Sequence, residues 1–283
     1  GKTADGLETT YERGGTDRTA VDLAILLRGK YDGLKVDFEK DSAVLSADPK
    51  IVKEGLEFIR YLSYNEAKLA GMFGMKILDP VAIKEIEENN LNISLVITNM
   101  NDPASITMIR KEPGSGPGSG TGAKEGAVMN PLKIVTGRKK CAVVRMEAGA
   151  ASHWRAMLLR DRRYSEFVQL SPYATDDTEI SRMLFLDGGY VNRNEPHIRA
   201  FDRNAEIAYG RGVVTLIGDE MWRVPNIASM ASSTVGENDI NIINMDAQEE
   251  TSRILIIVDD DAENVENAVR AIHAKRSETR LAA

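Results

Sequence analysis

Pro113, Gly114, Ser115, Gly116, Pro117, Gly118, Ser119, Gly120, Thr121 and Gly122 follow one another without an apolar side chain that could enter a core. Glycine-rich chain resists ordering, so residues 113–127 read as a flexible linker. The chain is thereby divided into residues 1–112 and 128–283. A phosphate-cradling glycine loop would need a flanking strand and helix, and neither is visible around this stretch. The linker is either native or engineered.

Composition removes several function classes. Lys+Arg 36 against Asp+Glu 43 leaves a net charge of -7, which gives no broad attraction to nucleic acid or to an anionic membrane. The longest apolar runs, such as residues 254–258, fall far short of the roughly 20 residues that span a bilayer. The lone Cys141 has no partner for an intramolecular disulfide, and no secretory signal opens the chain, so a cytoplasmic protein is expected.

Before the linker, Thr16 or Asp17 can cap a helix over residues 19–27, with Ala20, Leu23, Ala24 and Leu27 on its apolar face. Further helices are predicted over 64–71 and 80–89, the latter opened by Pro80. The β-branched run at 92–98 reads as a strand, giving α/β layers. After the linker, strands are expected at 140–146, 213–217, 240–245 and 254–258, with helices over 225–234 and 262–275. From Val213 onward the order is β-α-β-β-α, an antiparallel sheet with helices on one face. Residues 141–211 read as a diverged copy of that unit, with Ala142-Val143-Val144 echoing Gly212-Val213-Val214.

The run Thr9-Thr10-Tyr11-Glu12-Arg13-Gly14-Gly15-Thr16-Asp17-Arg18-Thr19-Ala20 carries the strongest chemical signal. Gly14 and Gly15 allow close backbone approach, and the helix start offers N–H groups to an anion. Arg13 presents a fork suited to a carboxylate, and Asp17 can hold an ammonium group. The alternative is a solvated turn capped by Asp17.

This run resembles the Gly-Arg-Gly-Gly-Ser-Asp-x-[Ser/Thr]-Ala segment of aspartate kinases. Other blocks follow in that family's order: Ser46-Ala47-Asp48-Pro49-Lys50-Ile51-Val52, Leu62-Ser63-Tyr64-Asn65-Glu66-Ala67, Phe73-Gly74-Met75-Lys76-Ile77-Leu78-Asp79-Pro80, and Thr98-Asn99-Met100-Asn101-Asp102-Pro103. The resemblance implies the C-terminal part of an amino-acid-kinase (carbamate-kinase-like) sheet and Mg²⁺-assisted transfer of a phosphoryl group from ATP to the side-chain carboxylate of L-aspartate. It assigns Arg13, Gly14, Gly15, Thr16 and Asp17 to aspartate, and Ser46, Asp48, Lys50 and Lys76 to the nucleotide. Asp17 and Lys76 would be catalytic; no residue is assigned as a metal ligand. Three departures stand out. Glu39-Lys40-Asp41-Ser42-Ala43-Val44-Leu45 occupies the place of the family's Thr-Asp-Val-Asp-Gly-[Val/Ile]-Tyr, which contacts the nucleotide, and loses both acids. Asp79 replaces a histidine. The family's Lys-Phe-Gly-Gly strand-loop is absent, so this chain alone is expected to be inactive.

Residues 241–258, from Asn241-Ile242-Ile243-Asn244-Met245-Asp246 to Ile256-Ile257-Val258, resemble the same family's ACT-type regulatory domain, an α+β ferredoxin-like fold. Within 128–283, residues 212–276 form the clearest such unit. Gly218, Asp219, Val224, Pro225 and Asn226, facing Asn241, would bind an effector amino acid, lysine or threonine by resemblance. Asp219 would take its ammonium group. The unit's open sheet edge implies a homodimer or larger, with residues 240–245 near the interface.

His153, His197 and His273 lack metal-ligand spacing, and Asp259-Asp260-Asp261 reads as a cap for the last helix. Residues 154–211 match no recognised pattern. Two alternatives remain: a non-catalytic amino-acid-binding protein of this ancestry, and a kinase of the same fold acting on another carboxylate.

Overall fold

A computed structural model describes residues 1–10, 15–31, 33–89, 91, 93–111, 130–160, 167–175, 177–219, 221–248 and 251–279. The expected linker at 113–127 lies outside the described residues. The chain forms two compact units. One contains Gly1–Ser46, Leu56–Gly71 and the described residues of Met75–Ala127; the other contains Ala47–Gly55, Met72–Gly74 and the described residues of Val128–Ala283.

The first unit is built on α1 (Gly15–Leu27), β1 (Lys35–Lys40), β2 (Tyr61–Ser63), α2 (Tyr64–Met72), α3 (Pro80–Glu88), β3 (Ser94–Asn99) and β4 (Asp102–Arg110). Its sheet runs in the order β1-β3-β4-β2. β1 lies parallel to β3, β3 and β4 form an antiparallel hairpin, and β2 lies parallel to β4. Leu95, Val96 and Ile97 of β3 are all buried, the pattern of a strand covered on both faces.

Local chemistry explains where these helices start. Ser63 and Glu66 make a reciprocal capping box at α2: the Glu66 carboxylate accepts the Ser63 N–H at 2.8 Å, and the Ser63 hydroxyl accepts the Glu66 N–H at 3.1 Å. Asp79 caps α3 by accepting the Val81 N–H at 2.7 Å, and Pro80 fills the first turn as expected. The apolar face of α1 differs from expectation. Val21 and Ala24 are buried, whereas Leu23 is 53% and Leu27 38% exposed. The helix begins at Gly15, so Asp17 lies inside its first turn and is not its cap. Asp17, Val21 and Ala24 share one face at helical spacing, and the bonds made by Asp17 turn that face inward.

The second unit contains β5 (Ile134–Glu147), α4 (Ala148–Arg160), β6 (Phe167–Ala174), β7 (Glu179–Phe185), α5 (Gly188–Phe201), β8 (Glu206–Ile217), α6 (Ile227–Glu237), β9 (Asn244–Ala247), β10 (Arg253–Asp259) and α7 (Asn264–Lys275). This is the β-α-β-β-α pass made twice, with sheet order β6-β7-β5-β8-β10-β9. The repeat hinted at by the Val-Val echo is therefore present, and it includes the stretch that matched no sequence pattern.

The two passes interlock through the long strands β5 and β8. Residues 134–138 of β5 pair with 213–217 of β8, while its later half pairs with β8 at 206–211 on one side and, over 142–147, with β7 on the other. The ladder breaks between Arg138 and Cys141, where Lys140 has φ 59°, and β8 carries Gly210 at φ 64° nearby. Asp260 holds this crease, its carboxylate accepting the Lys140 N–H at 2.7 Å. The expected helix-capping role of the 259–261 acids gives way to this one: the cap residue of α7 is Glu263, without a side-chain capping bond.

The core of the first pass is aromatic, with Phe185 stacked on Trp154 at 4.9 Å between ring centres and on Phe167 at 5.6 Å. In the second pass the strand expected at 240–245 starts later, at Asn244. Asp239 adopts φ 56°, its N–H donates to the Gly236 carbonyl at 3.0 Å, and the Ile240 N–H donates to the Val235 carbonyl at 3.3 Å. That Schellman closure of α6 uses residues 239 and 240, leaving only 244–247 to pair with β10.

Candidate functional site

Two sites emerge, one in each unit. The first surrounds the start of α1. Arg13 and Gly14 lie outside the described residues. Gly15 and Thr16, with Thr10, Thr19, Ala20 and Leu23, line an open concavity in which threonine hydroxyls and the first-turn N–H groups of α1 are the polar components.

Asp17 is anchored. Its carboxylate accepts the Asp79 N–H at 3.0 Å and lies 3.6 Å from the Lys40 ammonium. The Asp79 carboxylate in turn takes Arg18 Nε at 3.0 Å, so α1 and the start of α3 are cross-braced by two acids and two cations. Asp79 and Lys40 both depart from the aspartate-kinase pattern. Asp79 combines cap and ion pair, and Lys40 puts a cation where the pattern has an acid. The ammonium that Asp17 faces is thus Lys40.

Of the nucleotide candidates, Lys50 and Lys76 are exposed. Asp48 closes an Asx turn, its carboxylate accepting the Lys50 N–H at 2.8 Å. Ser46 does not fit the role expected of it. It is fully buried, and its hydroxyl accepts the Glu57 N–H at 2.9 Å, which makes it a structural tie. Thr107, also fully buried, supports the same loop by accepting the Val44 N–H at 3.0 Å and donating to the Ile59 carbonyl at 2.7 Å. Sequence reasoning missed Thr107 because one threonine in a strand gives no signal of what it bridges. Among the described residues no group of three His, Cys, Asp or Glu is placed to hold a metal ion.

The second site is a cleft of about 220 Å³ between the start of α6 and the turn joining β9 to β10. Gly218, Val224 and Asn226 of the loop assigned above to an effector line it, together with Met221, Trp222, Ile227, Gln248, Ser252, Arg253 and Ile254. Asp219, Pro225 and Asn241 are not among its lining residues. Asp219 accepts a hydrogen bond from the Ser252 hydroxyl at 2.6 Å, and Asn241 is exposed in the loop before β9. Position 218 has room for glycine alone, because a Cβ there would lie 1.8 Å from the Pro131 carbonyl oxygen. Asn226 sits at φ 69° with no side-chain capping bond, and Ile227, Ala228 and Ser229 of the first turn of α6 also line the cleft.

Arg253 was not foreseen. It is one of the cleft's lining residues, its Nε is buried without a hydrogen-bond partner, and Asp246 stands 3.8 Å from its guanidinium. Burial lowers the Arg253 pKa from its ordinary value, and the Asp246 carboxylate opposes that shift. Asp246 is itself engaged by the Ser171 hydroxyl at 2.9 Å, the Ser171 N–H at 3.3 Å and the Gln248 amide at 3.3 Å.

The amino acid kinase family matches residues 1–99, and the ACT domain matches residues 214–275. Aspartokinase 1 of Bacillus subtilis is 25% identical over 249 residues, 86% of this chain and 57% of that protein. The structure of Escherichia coli aspartokinase III in complex with aspartate and ADP (R-state) superimposes with a TM-score of 0.70 at 18% identity, covering 96% of this chain and 58% of that one. The same enzyme in complex with lysine and aspartate (T-state) gives 0.60 at 18% identity, covering 97% and 58%. The chain thus spans less than two thirds of the length of these relatives. Residues 1–99 thus match the amino acid kinase family and residues 214–275 an ACT domain, and over most of its length the chain is similar to aspartokinases.

Proposed function

We propose that the protein containing this chain transfers a phosphoryl group from ATP to the side-chain carboxylate of L-aspartate, under control by an amino acid bound in the ACT region. The observation that carries this reading is the fixed start of α1, where Gly15 and Thr16 border an open concavity beside an Asp17 locked to the Asp79 N–H. The first-turn N–H groups would meet the aspartate carboxylates together with Arg13, and Asp17 would act as a positioning residue. Lys50 and Lys76, both exposed, fit the polyphosphate; buried Ser46 does not. Mg²⁺ would be held mainly by the phosphates, as that ion requires few protein carboxylates, and would supply charge neutralisation. The E. coli relative's complexes with aspartate, ADP and lysine support the substrate, nucleotide and effector classes.

In the full-length protein, Arg13→Ala is expected to raise the aspartate KM roughly tenfold to a hundredfold, the loss of a charge-assisted contact of about 1.5–3 kcal/mol, while the ATP KM stays near its parent value. An unchanged aspartate KM would remove the substrate assignment. The second unit's sheet ends on the short strand β9, and an edge strand of this kind fits assembly into a homodimer or larger, with the 240–245 segment near the contact. Light scattering at micromolar concentration should then give at least twice the chain mass; a monomer would contradict it.

A further inference from the structure

The second compact unit includes two stretches from the early part of the chain: Ala47–Gly55, which carries Asp48 and Lys50, and Met72–Gly74, which ends two residues before Lys76. Met72 is the last residue of α2, and the final carbonyls of a helix have no partner within it. Strand β5 supplies the partners. Arg138 Nη1 donates to the Met72 carbonyl at 2.8 Å, and the Thr136 hydroxyl donates to the Phe73 carbonyl at 3.2 Å. A guanidinium suits that place, because its charge opposes the negative end of the helix dipole. The turn also closes on itself, the Met75 N–H donating to the Ala70 carbonyl at 3.0 Å across Gly74 at φ 111°. Phe73 is fully buried, and a Cβ at position 74 would stand 3.1 Å from the Gly137 carbonyl oxygen. Alternate residues of a strand share a face, so Thr136 and Arg138 meet the turn from one side of β5. On the other side a Cβ at Gly137 would stand 2.5 Å from Val265 and 3.0 Å from Val269 of α7, and β8 pairs along residues 134–138. The strand that holds the turn is thus itself held.

We infer that Arg138, together with Thr136, is a positioning residue for the nucleotide: the pair fixes the 72–74 turn, and the turn sets the place of Lys76. The inference rests on the phosphoryl-transfer reading proposed above, in which Lys76 meets the polyphosphate, and it adds two residues from beyond the 1–99 kinase match. Exposed Lys76 is flanked by buried Met75 and Ile77, so its backbone follows whatever holds the turn. Arg138 acts through that backbone, with its guanidinium bound to Met72 and not to the phosphates. Phosphoryl transfer depends on where its cations stand, and a misplacement of about 1 Å can cost about a hundredfold in rate. Aspartate binding is expected to be spared. Gly15, Thr16 and Asp17 belong to the first unit, and Asp17 is held there by the Asp79 N–H and Lys40.

The test is steady-state kinetics of the full-length protein with ATP, Mg²⁺ and L-aspartate. Arg138→Met, which keeps a stem and removes the guanidinium, should raise the ATP KM roughly tenfold while the aspartate KM stays within about twofold of the parent. Arg138→Lys should fall between the two, and Thr136→Val should raise the ATP KM about threefold. Because the pair acts through Lys76, Arg138→Met combined with Lys76→Ala should lie within about twofold of Lys76→Ala alone. A bond that only stabilises the fold would move the urea midpoint and leave both KM values alone, or raise both alike. Either result overturns the inference, as does full additivity in the double variant. A measurement on the parent stands even where Arg138→Met folds poorly: ADP with Mg²⁺ should slow amide hydrogen exchange at residues 73–77, and unchanged exchange there would overturn the inference. If the parent itself shows no aspartate-dependent turnover of ATP, the phosphoryl-transfer reading fails and this inference with it. If the parent turns over and Arg138→Met keeps the parental ATP KM, the inference alone falls.

Discussion

Gly218→Ala should lower the unfolding free energy of the regulatory unit by about 3 kcal/mol or more, at the upper end of what overpacking costs. The alanine Cβ would stand 1.8 Å from the Pro131 carbonyl oxygen, 2.9 Å from its carbon and 3.3 Å from the Lys133 nitrogen. All three are backbone atoms, and the Lys133 N–H is bound to the Ile217 carbonyl at 2.9 Å, so the obstacle cannot rotate away. The change is read from the urea midpoint at unchanged slope. A loss below about 1 kcal/mol would show that residues 131–133 yield easily, against the close approach described here.

Asp246→Ala should cost a comparable amount, about 3 kcal/mol, because it strips a buried cation of the acid that offsets it. The Asp246 side chain is 2% exposed and also satisfies the N–H and hydroxyl of Ser171. The distinguishing result is the double variant. Removing both charges, as in Asp246→Ala with Arg253→Met, should be less damaging than Asp246→Ala alone, since no uncompensated guanidinium is left behind. If the two losses simply add, the pair is not coupled and the account of Arg253 as a buried cation offset by Asp246 is wrong.

How much of this was legible in the sequence depends on whether the deciding interaction is local. Pro80 announced α3, and the β-branched run at 92–98 announced β3, because propensity and turn chemistry act within a few residues. β1, β2 and β4 were not anticipated: Lys35-Val36-Asp37-Phe38-Glu39-Lys40 is mostly polar, β2 is three residues long, and β4 opens with Pro103 as its second residue. The inward face of α1 was misjudged because it is set by a bond from Asp17 to Asp79, 62 positions away. The crease that interlocks the two β-α-β-β-α passes depends on Asp260 reaching Lys140 across 120 positions. Site residues divide the same way. Gly15, Thr16 and Asp17 belong to one contiguous run, whereas Arg253 reaches the cleft beside α6 only through the pairing of β10 with β8 and β9.

The most direct measurement is acceptor-dependent release of ADP from ATP by the full-length protein, with L-aspartate, L-glutamate, N-acetylglutamate and no acceptor compared side by side. An aspartokinase releases ADP at a rate that saturates with L-aspartate, with Mg²⁺ required and the other acceptors near background. A rate equal to background with L-aspartate, or saturation by another carboxylate in its place, would contradict the function proposed for this chain.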